Sequence, residues 1–166
     1  MASLLSRPLD LFYFIYFVTH IPPTLLFDLH LILPIFEFFG NINQSYKEKF
    51  NDPLFVNTPL WFYTCIYFEF FIQLPFFVYA IIGLWKDSTN IRIPLLAYSA
   101  HVVTVSSICL SVIYFGNHEG LREDQRKFLL GAYFPYFIIP LICLIDSFSK
   151  IQRLITSNVT LEKKHK

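Results

Sequence analysis

Asp28 and Glu69 are acidic side chains set inside stretches that otherwise read as membrane-spanning helix. A carboxylate at bilayer depth costs about 2.5 kcal/mol or more. Each acid must therefore face the bundle interior and find a partner there. No Lys or Arg lies near either one within its span, which removes the simple buried ion pair. Two carboxylates close together at low dielectric do not both ionise; the pair holds one proton and one negative charge. Such a site suits a protonated amine or the hydroxyl of an otherwise apolar molecule. Nearby Phe and Tyr faces would add cation–π attraction for the amine.

Other polar side chains share helix faces with these acids. His20, Thr24 and Asp28 are spaced four apart, as are Glu69 and Gln73. Tyr98, His101 and Val105 share a face of a third helix with Thr104 adjacent, and Tyr133, Tyr136 and Pro140 share one in a fourth. Polar groups of all four helices can thus converge. The candidate ligand-binding set is Asp28, Glu69, Gln73, Thr24, His20, His101, Thr104, Tyr133 and Tyr136, with no catalytic or metal-ligating residue among them. Plainer roles compete for most of these. A His inside a helix is more often a hydrogen-bonded packing residue, buried Tyr needs only a hydroxyl partner, and Thr often bonds back to its own helix. On straight-helix counting Asp28 lies nearer the far end of the membrane than Glu69, a gap that a kink at Pro22-Pro23 must close.

The elements that position these residues follow from composition. Of 166 residues, 55% are hydrophobic and only 15% charged, against about a quarter charged in a soluble domain. This is a membrane composition, and its length suits one domain, residues 1–166. Four apolar stretches are long enough to cross about 30 Å: Leu9 to Leu33, Pro59 to Trp85, Ile93 to Phe115 and Phe128 to Phe148. The first is too long and too aromatic for a cleavable leader. The expected fold is an all-α, four-transmembrane-helix bundle with residues 149–166 as a tail. Pro22-Pro23, Pro75, Pro135 and Pro140 kink three of the helices, and the freed carbonyls need neighbours or water. Kinked helices leave room for an interior cavity.

A net charge of +1 gives no reason to expect nucleic acid. Cys65, Cys109 and Cys143 lie in apolar segments without metal-ligand spacing and read as buried small hydrophobes; no cofactor is expected. Eight Lys and Arg residues flank the termini and second loop, against five in the first and third loops. The excess places both termini in the cytosol. Lys163 and Lys164 then stand third and fourth from the end, in a pattern resembling a dilysine retrieval signal; a polybasic tail resting on anionic lipid is the alternative. Asn43-Gln44-Ser45 is a sequon in the first loop, so a sugar is expected on Asn43 and none at Asn158. The first loop mixes aromatics with charge and reads as an interfacial segment, Asn51-Asp52-Pro53 as a turn, and Gly116 to Lys127 as solvated.

Several ordered motifs carry a resemblance. His20-Ile21-Pro22-Pro23-Thr24-Leu25, Phe27-Asp28-Leu29, Phe50-Asn51-Asp52-Pro53-Leu54, Glu69 through Phe77, Ile91 through Thr104 and Tyr133 through Pro140 together resemble the sigma-2 receptor family. That family lies within the EXPERA superfamily, alongside the emopamil-binding sterol isomerase. Pro23 stands where the motif has a smaller or β-branched residue. The resemblance implies a four-helix endoplasmic reticulum membrane protein with a lipid-accessible cavity. It implies that Asp28 pairs with a ligand amine and that a protonated Glu69 hydrogen-bonds Asp28. It also implies sterol binding and cholesterol homeostasis, often as a homodimer. Fungal relatives connect instead with surveillance of mitochondrial precursors.

Three functions are therefore expected, in order. The first is a non-enzymatic carrier or receptor for a sterol-like or amine-bearing lipid. The second is an interaction factor retaining a larger membrane partner such as a transporter. The third is a sterol double-bond isomerase using Asp28, Glu69 and His101, which the departures from the isomerase's His/Glu arrangement disfavour.

Overall fold

The computed structural model describes residues 3–28 and 37–164. Among them every regular element is helical. Helix α1 runs Pro8–Pro23 and opens into a π-helical turn, Thr24–Asp28. Two shorter helices follow, α2 at Glu37–Phe50 and α3 at Pro53–Val56. The second span combines α4, Leu60–Phe68, a π-helical turn at Glu69–Gln73, and α5, Leu74–Trp85. Helices α6, Arg92–Phe115, and α7, Glu123–Lys164, complete the chain. Four segments are long and apolar enough to cross a membrane: Pro8–Leu26, Leu60–Trp85, Thr89–Phe115 and Glu123–Ser157. The predicted all-α membrane bundle is the observed architecture.

Boundaries differ from expectation in three places. The first loop carries the 14-residue α2. The third loop is shorter than expected because α7 starts at Glu123, and Arg126 reaches back to the α6 carbonyls of Ile113 and Tyr114 and to Gly116 O. Residues past Phe148, expected as a separate tail, continue α7 to Lys164.

Both widened turns sit beside proline. Leu74 N–H donates to Glu69 O, five residues back, immediately before Pro75. In a regular helix the Pro75 ring would crowd the Phe71 carbonyl. The other π-turn follows Pro22-Pro23 directly. The two turns pack on each other, so the irregular parts of both spans meet. Such π-turns recur at functional sites. In α7 the carbonyl freed by Pro140 is that of Tyr136, and Ser106 Oγ donates to it at 2.9 Å. Membrane packing requires such a substitute partner.

Packing is most extensive between α6 and α7, then between α1 and α5. Helices α5 and α6 touch through rings, with Phe76 and Phe77 at 5.0 and 5.7 Å from Tyr98. Their connection needs Gly83, where a Cβ would come within 3.0 Å of Ile91. Two apolar clusters result. One gathers Tyr13, Phe17, Phe77, Leu84, Leu95 and Tyr98; the other gathers Leu54, Phe55, Phe62, Ile66, Ile113 and Leu129.

An ion network closes the end that carries both termini. Asp10 accepts from Arg7 and from Arg92 Nη2 at 2.7 Å on Oδ2, and from Lys150 Nζ at 3.3 Å on Oδ1. Lys150 also meets Asp146 at 2.9 Å, and Arg7 reaches Asp87 at 3.2 Å and Leu84 O at 2.8 Å. Asp10 is 2% exposed and Arg92 7%. Spans Leu9 to Leu33 and Phe128 to Phe148 thus hold two further acids, Asp10 and Asp146, and for these an ion pair is the solution.

Candidate functional site

Between the two apolar clusters lies a cavity of about 350 Å³, within the usual range of roughly 300–1,000 Å³ for ligand sites. Every span contributes to its wall. Apolar lining comes from Phe55, Phe62, Ile66, Val102, Val105, Phe128 and Ala132. Polar groups gather at two places, one at the paired π-turns and one beneath α2 and α3.

At the π-turns, Glu69 Oε1 receives Thr24 Oγ1 at 3.0 Å and lies 3.3 Å from His20 Nε2. Thr24 has a single hydroxyl proton, and Oγ1 is also 3.1 Å from His20 O. It can donate to the Glu69 carboxyl or to its own helix, one at a time. The His20 ring is enclosed by Tyr16, Phe77 and Tyr136 at centroid distances of 5.1, 5.0 and 4.8 Å. Its Nδ1 is buried without a hydrogen-bond partner among the described residues. Gln73, from the same turn as Glu69, lines the cavity with an amide able both to donate and to accept.

Beneath α2 and α3, Tyr46 and Tyr133 line the cavity, and both hydroxyls donate at 2.8 Å to Oδ2 of Asp52. Asp52 Oδ1 accepts Leu54 N–H at 2.9 Å and caps α3. The residue is wholly buried. Burial pushes its carboxyl above the usual Asp value, opposed by the Tyr46, Tyr133 and Leu54 hydrogen bonds. Burial and the neighbouring Asp52 likewise raise the Tyr46 phenol.

Of the residues singled out from sequence, His20, Thr24, Glu69, Gln73, Tyr133 and Tyr136 line this cavity. Asp28 closes the first π-turn, but its side chain lies outside the described residues, as do those of Lys163 and Lys164. His101 and Thr104 are not on the cavity. Thr104 is exposed and bonds Ala100 O in its own helix at 2.9 Å, and His101 packs on Phe68 with ring centroids 4.6 Å apart. Val102, Val105, Ser106 and Cys109 form the inward face of α6 instead. Asn43 is 3% exposed within α2, its Nδ2 donating to Leu26 O at 3.1 Å. In the folded protein that nitrogen is a poor sugar acceptor. Asp52 was not among the expected site residues; in sequence it stands out only as part of a turn and of the Phe50–Leu54 motif. The available signal was an acid directly ahead of a Pro-Leu-Phe helix start.

The family model for EXPERA, the expanded EBP superfamily, matches residues 38–147. This chain belongs to the EXPERA superfamily. Among curated relatives of the EXPERA chain is Sigma intracellular receptor 2 of Xenopus tropicalis, 35% identical over 150 residues, covering 84% of this chain and 88% of that one. The Homo sapiens protein of the same name is 36% identical, covering 79% and 82%. Efficient mitochondria targeting-associated protein 19 of Saccharomyces cerevisiae is 30% identical, covering 81% and 94%. The EXPERA match spans α2 through most of the fourth membrane segment, and so includes Asp52, Glu69 and Tyr133.

Proposed function

We propose that this chain is a non-enzymatic ligand-binding protein of the endoplasmic reticulum membrane, with both termini cytosolic. Its guest is a sterol-like or amine-bearing amphiphile held inside the helix bundle. The observation that carries this reading is an acid, Glu69, on the wall of a largely apolar cavity whose recorded donors are Thr24 and His20, with no Lys or Arg. A carboxylate so placed is costly unless a cation or hydroxyl completes it. The polar head would sit among Glu69, Gln73, Thr24 and His20, with Asp28 and Tyr136 as further partners. The apolar body would run toward Phe62 and Phe128. Lys163 and Lys164 would serve retrieval to the endoplasmic reticulum.

The test is binding of a radiolabelled cationic amphiphile to the detergent-solubilised chain. Glu69→Gln keeps shape and removes charge, so amine affinity should fall at least tenfold while a neutral sterol is retained within about threefold. Equal amine affinity in both proteins would end the reading. Mass spectrometry of lipid extracted from gently purified protein would name the natural guest.

The superfamily's isomerase member raises an enzymatic alternative. That reading draws on Asp28, Glu69 and His101 as acid–base groups, and His101 is not on the cavity. Growth of a sterol-isomerase-deficient strain on this chain would favour it. Kinship to Efficient mitochondria targeting-associated protein 19 supports a second alternative, a role in protein targeting. It predicts co-purification of a membrane or precursor protein that Glu69→Gln does not alter.

A further inference from the structure

A second depression lies at the opposite end of the bundle from Asp52, lined by Thr89, Arg92, Lys150, Arg153, Leu154 and Ser157. Three of these six are cations and two are hydroxyls. Around it Arg7, Arg92 and Lys150 pair with Asp10, Asp87 and Asp146, and Arg153 in the lining adds one further positive charge. Arg153 is exposed and has no ion pair among the described residues. Arg92 is 93% buried, and its Nη1 has no hydrogen-bond partner among the described residues, with Asp146 Oδ2 3.9 Å away.

Backbone adds to the same field. Thr89 begins the turn that runs into α6, no side chain caps its start, and no acid lies in the first turn of either element. The start of this long helix, the positive end of its dipole, therefore lies at the depression that Thr89 and Arg92 line. Such an arrangement receives anions. Beside it the surface is greasy: Leu154, Ile93 and Trp85 are exposed large apolar residues.

We infer that this depression binds the phosphate of an anionic membrane phospholipid. The headgroup sits between Arg92, Lys150 and Arg153 with Thr89 and Ser157 as hydroxyl donors, and the acyl chains lie along Leu154 and Ile93. A water-soluble phosphate would use the same donors but not the apolar flank. This inference is independent of the interior cavity.

The experiment uses the full chain in neutral detergent and follows thermal unfolding during titration with dioleoyl phosphatidic acid. Parallel titrations use dioleoyl phosphatidylcholine and sn-glycerol 3-phosphate. Only phosphatidic acid should raise Tm saturably. Arg153→Gln should weaken its apparent affinity about fivefold, the effect of one interfacial cation, and Arg153→Lys should restore it. Lys127→Gln, on the other end of the bundle, should change nothing. The inference is overturned if phosphatidylcholine or glycerol phosphate acts equally well. It is equally overturned if Arg153→Gln binds as the parent does, or if Lys127→Gln weakens binding as much.

Discussion

At Asp52 two phenols converge on one oxygen while a backbone amide holds the other. An asparagine there has one acceptor and one donor, and cannot satisfy both arrangements. Asp52→Asn should therefore destabilise the protein by about 1–3 kcal/mol, seen as a lower Tm in detergent. The pH dependence has a definite sign. A carboxyl raised above its unfolded value holds its proton more firmly when folded. Stability from this group is full below the ordinary Asp value of 3.8 and falls as pH rises through the higher folded value. The Asn variant should lose that slope; an unchanged slope would assign it elsewhere. Legibility at this scale was uneven. Glu69, Gln73, His20 and Thr24 were readable because an acid in an apolar span must be partnered. The inward face of α6 was not, because lipid and protein interior are equally apolar. Thr104 can face outward at little cost once Ala100 O takes its proton, and Val102 and Val105 can line a cavity unannounced.

Proline content foretold irregular helices, yet not the form the irregularity takes. Each π-turn inserts one residue relative to an α-helix, which rotates everything before it by about 100°. In the second span Phe62 and Ile66, ahead of the turn, line the same wall as Glu69 and Gln73 at its two ends. Inserting one alanine into the turn beside exposed Phe71, in α-helical form, should rotate the preceding half of the span by about 100° relative to α5. Helix content by circular dichroism should stay unchanged, while cavity ligand affinity should drop more than tenfold as Phe62 and Ile66 turn away. Loss of helix with loss of binding would mean the turn is needed for folding and not for facing the site. The first-loop helix α2 was legible only as an interfacial mixture of rings and charges. Its role depends on contacts far along the chain, such as Gln125 Nε2 to Lys49 O at 2.8 Å.

On the scale of the molecule, the termini-bearing end is locked by charge and the other end by Asp52 and its tyrosines. Asp10 joins Arg7, Arg92 and Lys150, and so ties α1 to α6 and α7. Removing it leaves several cations facing one another, and Asp10→Ala should cost about 3–5 kcal/mol, read as a large fall in Tm. Salt should weaken the parent only slightly, since buried pairs are little screened. The same basic residues counted in sequence as topology markers are here structural, because they meet Asp10 where three helices end or emerge together. Topology itself is open to a direct check. Epitope tags at either terminus should both be stained after selective permeabilisation of the plasma membrane, and a protected tag would invert the assignment.

Helix α7 has 42 residues, about 63 Å at the α-helical rise, roughly twice what a bilayer core requires. Phe148 and Lys164 are separated by some 24 Å of continuous helix on the same rise. The closing lysines are thereby mounted on a mast, not a tether. Under the proposed retrieval role, whatever reads these lysines must meet them at a set height, and a glycine break near Gln152 would lower them without altering the motif.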